Sequence, residues 1–339
     1  MAVRAGIRIT RLLAASVSVL ALGAGCSGGG GGAGVERGIP TPAAGKIAAF
    51  DLSALSKDYD LNKTVVPRWS LVATDRAGNV YMMDRSLERP EVMKMTPGGD
   101  VSRYAVAVFA KTPTAMVVRS DGSLVFSDST TSAGAFRVIS GNGTETELKI
   151  SPDYLAARPI GERPDGSLVV SEGGNIWSLK DGKAARLYHQ SKDVGDSAVV
   201  DPSGTVYVVP ANLGDVVVVP VGRQPYHAHE SGTVPGTGTP IASMAPTALT
   251  PASTGGFYAL GADKAITETI VLHVRGDEAS VLAKTPLSGR TCAPGKQYPA
   301  LANSCGARAY IVQSGGRVLL LGNVGTHDGP ADPALALIA

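Results

Sequence analysis

The sequence is poor in aromatic residues and has almost no excess of charge. It contains 2 Trp, 10 Tyr and 5 Phe among 339 residues, which argues against a stacking platform for bases or sugars. The formal net charge is +2, but Arg4, Arg8 and Arg11 lie in a segment that we expect to be removed. Without these three arginines, the chain has 28 basic and 29 acidic residues. A neutral body lacks the basic patch of a nucleic-acid-binding protein, so we expect no nucleic-acid partner.

Long apolar runs are also scarce, and the run at residues 12–22 is shorter than the ~20 residues of a transmembrane helix. Three arginines precede it, and Gly23-Ala24-Gly25-Cys26 follows it. This order is typical of a secretory signal. The small residues before the cysteine resemble the lipobox of bacterial lipoproteins, in which the cysteine is lipidated and becomes the new N terminus, although Gly23 stands where leucine is usual. The alternative is an ordinary signal with an incidental cysteine. We predict a signal peptide at residues 1–25 and lipidation at Cys26.

A glycine-rich stretch follows the predicted lipidation site. Residues 27–34 are nearly all glycine, so they have no side chains to bury and behave as a flexible coil. A lipid anchor needs such a tether. We therefore predict a linker at residues 26–44, a folded body at residues 45–339, and a location at the cell membrane facing the extracytoplasmic side.

The chain has only three cysteines. If Cys26 carries lipid, Cys292 and Cys305 remain, and an exported protein allows them to pair. The alternative is two free thiols. We predict a disulfide between Cys292 and Cys305.

Glycine is abundant, and it marks an internal repeat of an apolar strand, a turn with glycine and a second strand. The turn glycines are Gly78, Gly122, Gly166 and Gly204, with weaker copies at Gly256 and Gly316, and their spacings are 44, 44, 38, 52 and 60 residues. A period near forty with four strands per unit is that of a propeller blade. Outer hairpins are visible as well, for example around the Asp181-Gly182 turn. Six copies predict an all-β, six-bladed β-propeller.

The sixth repeat is incomplete. After Leu321 there is no second hairpin, only an apolar run at residues 334–339, while residues 47–52 form a strand-like run before the first repeat. A propeller has to close its ring, because exposed strand edges promote aggregation. We predict that the two chain ends pair and complete a shared blade.

These repeats resemble the NHL-repeat family of six-bladed propellers. The resemblance is carried by Asp75, Gly78, Tyr81 and Asp84 in one copy, by residues 201–207 in another, and by a glycine-rich loop at residues 325–331. It spans about residues 45–339 and implies the architecture, but it implies little about function because such folds serve many functions. The last two repeats depart from the motif.

Three acidic residues share one repeat position, six residues after the turn glycine: Asp84, Asp128 and Glu172. In consecutive blades they would lie along one sector of one face, and Ca²⁺ prefers several oxygen ligands of this kind. The alternative is that each carboxylate caps its own loop through local hydrogen bonds. Both interpretations stay open, and apart from this possible calcium site we expect no cofactor.

His227 and His229 form a second candidate metal site, because residues two apart on a strand share a face. No third ligand stands at a diagnostic spacing, so the alternative is a pair of solvated histidines.

Three functions are compatible with these features. We expect a non-catalytic binding, scaffold or sensor module at the cell envelope, monomeric, which holds an envelope protein or surface polymer. The first alternative is a metal-dependent propeller enzyme of the gluconolactonase or streptogramin-lyase type, although the ligand sets of those enzymes are not matched residue by residue. The second is a purely structural envelope protein.

The lipid anchor is tested by replacing its only attachment point. Cys26→Ala removes the predicted acceptor, so we expect the protein to move from the membrane fraction to the soluble fraction when cells are fractionated without detergent. A variant that stays with the membranes would show that the lipoprotein prediction is wrong.

Overall fold

The computed structural model describes residues 38–56, 70–84, 90–106, 113–127, 135–149, 157–190, 197–228, 232–262, 268–286, 292–301, 305, 309–322 and 334–338. These ranges contain 25 β-strands and three 3-10 helices of three residues each. No helix within them is long and apolar enough to cross a membrane. The predicted signal peptide, Cys26, Asp128 and His229 lie outside the described residues, as does the loop at residues 325–331.

The chain forms a six-bladed β-propeller, as predicted. After β1 (Lys46–Phe50) come three blades of four antiparallel strands, each strand pairing with the next along the chain. Blade 1 consists of β2 (Ser70–Thr74), β3 (Val80–Asp84), β4 (Glu91–Met95) and β5 (Val101–Val106). Blade 2 consists of β6 (Met116–Val118), β7 (Leu124–Phe126), β8 (Ala135–Ile139) and β9 (Glu145–Lys149). Blade 3 consists of β10 (Arg158–Glu162), β11 (Leu168–Glu172), β12 (Asn175–Lys180) and β13 (Lys183–His189).

Two further blades repeat this order. Blade 4 consists of β14 (Ala198–Val200), β15 (Val206–Val208), β16 (Val217–Val219) and β17 (Tyr226–His227). Blade 5 consists of β18 (Ala245–Pro251), β19 (Phe257–Ala262), β20 (Glu268–Arg275) and β21 (Glu278–Pro286). The 3-10 helices are Ser53–Leu55, Leu213–Asp215 and Ile241–Ser243.

The repeated glycines occupy the turn between the first and second strand of every blade. All six have a positive φ, between 76° at Gly316 and 87° at Gly204, which is a conformation that side chains with a Cβ rarely adopt. The Asp181-Gly182 turn of blade 3 also has positive φ at both residues, 51° and 72°, as a two-residue hairpin turn requires. The local turn chemistry therefore sets where each blade folds back on itself.

The core consists of six apolar clusters, one at each boundary between neighbouring blades in the described ranges. The second strand of blade 1 shows how the sequence builds them. Successive side chains of a strand point to opposite faces, so Val80 and Met82 pack towards blade 6 whereas Tyr81 and Met83 pack towards blade 2. All four side chains are at most 1% exposed. Each such side chain contributes roughly 1.5–3 kcal/mol by its burial, which holds the blades face to face.

Blade 6 closes the ring with both chain ends, as predicted. It contains β23 (Tyr310–Ser314), β24 (Arg317–Leu321) and β25 (Ala334–Ile338), and β1 pairs with β25 as the next strand outward. The register places Ile47 opposite Leu337 and Phe50 opposite Ala334.

Blade 6 has a fifth strand, which the sequence analysis did not predict. Strand β22 (Gln297–Pro299) pairs with the outer edge of β1, so that Ile47 lies opposite Tyr298. The predicted disulfide between Cys292 and Cys305 is confirmed, and both half-cystines are buried at the boundary of blades 5 and 6. Because β22 lies in the loop that the disulfide closes, the disulfide keeps this strand against β1.

Candidate functional site

The first strands of the six blades surround a central channel: β2, β6, β10, β14, β18 and β23. The channel encloses a cavity of about 570 Å³, which is within the range of small-molecule sites. Its lining is mixed: apolar side chains such as Val72, Val117 and Ile160 share it with polar side chains and with the backbone of the inner edge strands. A ligand in the channel would therefore meet both apolar and polar groups, contributed by all six blades.

The two ends of the channel differ. We call one side of the propeller the turn side. It carries the glycine turns between the first and second strands of each blade and the turns between the third and fourth strands. We call the opposite side the joining side, because the segments that join successive blades begin and end there. Residues 75–78, Arg119, Ser120, Glu162 and Asp201 line the channel at the turn side. Thr114, Ala115 and Ala198 line it at the joining side.

A polar residue stands three positions before the turn glycine in every blade, near the end of the first strand. These six residues are Asp75, Arg119, Arg163, Asp201, Ser253 and Gln313. Five of them reach into a neighbouring blade. With three further side chains, Tyr104, Glu162 and Ser314, they bridge all six blade boundaries. The contacts are Tyr104 to the Gly122 carbonyl, Arg119 to Glu162, Arg163 to the Gly204 carbonyl, the Gly256 amide to Asp201, Ser253 with Gln313, and Ser314 to the Gly78 carbonyl. These contacts form a polar ring on the turn side.

Glu162 is an enclosed charge of this polar ring. Its carboxylate accepts a hydrogen bond from Arg119 Nε at 3.0 Å and from the Ser120 amide at 2.6 Å. The side chain of Glu162 is 4% exposed and that of Arg119 is 29% exposed. Arg76 of blade 1 donates to the Glu162 carbonyl oxygen over 3.3 Å, so its side chain reaches past blade 2 and crosses the turn-side mouth.

The residues that carry the family resemblance stabilise their own turns. Asp75 accepts hydrogen bonds from the Asn79 amide at 2.9 Å and from the Tyr81 hydroxyl at 3.1 Å. Tyr207 stands in the same relation to Asp201, and burial, with the nearby Asp201 carboxylate, raises the pKa of Tyr207 to about 12. Burial, and then Asp75, raise the pKa of Tyr81 as well. Both phenols therefore remain protonated donors at neutral pH, which favours a structural role for the repeat motif.

The three predicted metal ligands are only partly described. Asp84 and Glu172 are the last residues of β3 and β11, so both lie at the joining-side end of a second strand. Glu172 pairs with Asn175, whose side-chain oxygen contacts His189 Nδ1 at 2.9 Å. Asp128 lies outside the described residues. Among those that are described, no group of three or more His, Cys, Asp or Glu side chains could hold a metal ion. The calcium site stays a prediction, as does its alternative.

The second candidate metal site is described only at His227. This residue is exposed at the end of β17, opposite Val217, and His229 lies outside the described residues. The histidine pair therefore also stays a prediction.

The sequence analysis missed the polar ring. A signal was present, because a polar residue three positions before each turn glycine interrupts the apolar pattern six times. Its partners were not visible, since Arg119 and Glu162 are 43 residues apart and belong to different blades.

Comparison with known proteins supports the fold alone. No family model matches the chain, and no curated protein matches it. Among solved structures, an auxiliary nutrient binding protein from Bacteroides thetaiotaomicron is 13% identical, with a TM-score of 0.51 over 86% of this chain and 75% of that one. A protein of unknown function from the same organism is 12% identical, with a TM-score of 0.52 over 79% and 68% of the two chains. Virginiamycin B lyase from Staphylococcus aureus is 13% identical, and the match covers 85% of this chain and 88% of that one, with a TM-score of 0.46.

The enclosed ion pair of the polar ring can be tested against an exposed one. Glu162→Gln leaves the Arg119 guanidinium without its counter-ion in a partly buried position, so we expect the free energy of unfolding to fall by about 2 kcal/mol. The control is Lys180→Gln, which breaks the half-exposed contact of Lys180 with Asp165 at 3.7 Å and should cost less than about 0.5 kcal/mol. Urea unfolding measures both. Equal losses in the two variants would show that the ring does not depend on this pair.

Proposed function

We propose that this chain is a lipid-anchored, NHL-like binding module on the extracytoplasmic side of the cell membrane, and that it holds an envelope protein or surface polymer without catalysis. The channel is the binding site. A part of the partner enters it, contacts the apolar side chains of the walls, and is oriented by the polar groups that line the channel.

The observation that carries this proposal is the channel itself. It offers about 570 Å³ enclosed by the first strands of all six blades, and both apolar and polar groups line it. Because the polar ring and the apolar clusters fix each blade to its neighbours, the channel is preformed, and a preformed site loses little entropy on binding. On the turn side the Arg76 side chain crosses the mouth. The proposed entrance is therefore the joining side.

The disulfide supports the proposed location. Structural disulfides persist in oxidising compartments and are rare in the reducing cytosol. Cys292 and Cys305 are 1% and 0% exposed, so their bridge is part of the packed interior of the protein.

The channel can be blocked by one substitution. Ala115 is half-buried and lines the channel near the joining side, where its amide donates to the Ser127 hydroxyl at 2.8 Å. Ala115→Trp fills the entrance without removing a hydrogen bond. We expect the full-length protein to retain partners from envelope extracts and the variant to lose them at least tenfold, as measured by mass spectrometry of co-purified protein and polymer.

The matched control makes the same substitution on the outside of the ring. Ala184 is exposed on β13, so Ala184→Trp adds the same side chain far from the channel. It should leave partner retention unchanged. Equal retention by both variants, with their folds intact by circular dichroism, would mean that the channel is not the binding site.

A further inference from the structure

We infer that the turn side of the propeller faces the membrane and that the joining side faces away from it. This orientation rests on the proposed lipid anchor and deepens it, because it states which mouth of the channel is open to partners. Three observations support it: the side of the propeller on which β1 begins, the fixed position of the residues before β1, and the limited length of the tether.

Strand β1 begins on the turn side. Strand β24 starts directly after the Gly315-Gly316 turn, and its first residue, Arg317, pairs with Ile338 at the end of β25. The end of β25 is therefore on the turn side. Strand β1 runs antiparallel to β25, with Ile47 opposite Leu337, so it begins where β25 ends. The chain enters the propeller from the turn side.

The residues before β1 are fixed to that same side. The Ile39 carbonyl accepts a hydrogen bond from Arg317 Nη1 at 2.5 Å, and Ile39 is only 6% exposed. The same guanidinium donates to the Pro97 carbonyl, in the turn between the third and fourth strands of blade 1. Gly38 lies against that turn, since a Cβ added at Gly99 would come within 3.0 Å of the Gly38 Cα. The tether therefore starts from a fixed point at Gly38.

The average span of the tether is about the same as the height of the propeller. Cys26 and Gly38 are 12 positions apart and most residues between them are glycine. A flexible chain of this length spans about 20 Å on average, and about 40 Å when fully extended. The seven residues of β13 alone extend about 20 Å from one side of the ring to the other. With the joining side towards the lipid, the tether would first have to pass the whole height of a blade. This takes up its whole average span, so only the more extended tether conformations would allow that orientation, which is entropically unfavourable.

The orientation explains why the two mouths differ. The turn-side mouth, crossed by Arg76 and lined by the Arg119–Glu162 pair, faces the lipid headgroups. The joining-side mouth faces the envelope space, where an envelope protein or surface polymer can reach it.

The experiment places one fluorophore at either end of a single strand. Lys183 and His189 are the exposed first and last residues of β13, on the turn side and the joining side respectively. The other cysteines are lipidated or paired, so Lys183→Cys and His189→Cys each provide one reactive thiol. The full-length lipidated protein is reconstituted on phosphatidylcholine–phosphatidylglycerol vesicles that contain a rhodamine-labelled lipid. Energy transfer from the labelled thiol to the lipid is then measured. Glu145→Cys and Lys149→Cys repeat the comparison at the two exposed ends of β9 in blade 2.

We expect energy transfer from position 183 to exceed that from position 189 by about twofold or more, given their ~20 Å separation along the strand. Position 145 should likewise exceed position 149. Inserting twenty Gly and Ser residues after Cys26 should remove the difference. Equal transfer, or greater transfer from the joining side in a vesicle-bound protein, would overturn the orientation and leave the anchor intact. A protein that floats free of the vesicles would contradict the anchor, and the orientation would fall with it.

Discussion

The pairing of β1 with β25, the first and last strands of the chain, is the interaction on which the ring depends. Ile47 lies opposite Leu337, and β1 joins the two chain ends within one sheet. Without it, blade 6 would lose its two outermost strands, β1 and β22, and the boundary cluster that contains Ile47 and Ala49 would open to solvent. Each backbone hydrogen bond contributes only about 1 kcal/mol, but here a few of them prevent the separation of apolar surfaces that bury far more. Strand β22 and the disulfide reinforce this pairing from the outside.

A closed ring also creates the channel, and its two ends follow from one topology. In a four-stranded antiparallel blade, two tight turns lie on one side, whereas the loop between strands two and three and the segment to the next blade lie on the other. The tight turns bring polar backbone and side chains of neighbouring blades together, and the polar ring satisfies them. Glu162, with Arg119 and Ser120, shows how a carboxylate can be enclosed when each oxygen has a donor.

The sequence predicted what local chemistry determines. The turn glycines and the Asp181-Gly182 hairpin could be recognised in the sequence because their positive φ restricts the residue type. The pairing of the chain ends could be inferred because a ring cannot leave its last blade incomplete. Strand β22 could not be predicted, since its three residues pair with a strand some 250 positions away, at Lys46–Ala48. The Arg119–Glu162 pair was hidden for the same reason: its residues meet only after two separate blades have packed.

Native-state hydrogen exchange of β1 tests the closure most directly. An outermost strand such as β9 has one free edge, so only alternate amides should be protected. Strand β1 lies between β25 and β22, and Ala49 donates outward to the Lys296 carbonyl at 3.0 Å. The account predicts that the amides of residues 47–50 are all protected and exchange only when the whole propeller unfolds, with the denaturant dependence of global unfolding. Alternate protection in β1, or exchange of its amides far faster than those of β3, would contradict a ring that is closed by its N-terminal strand.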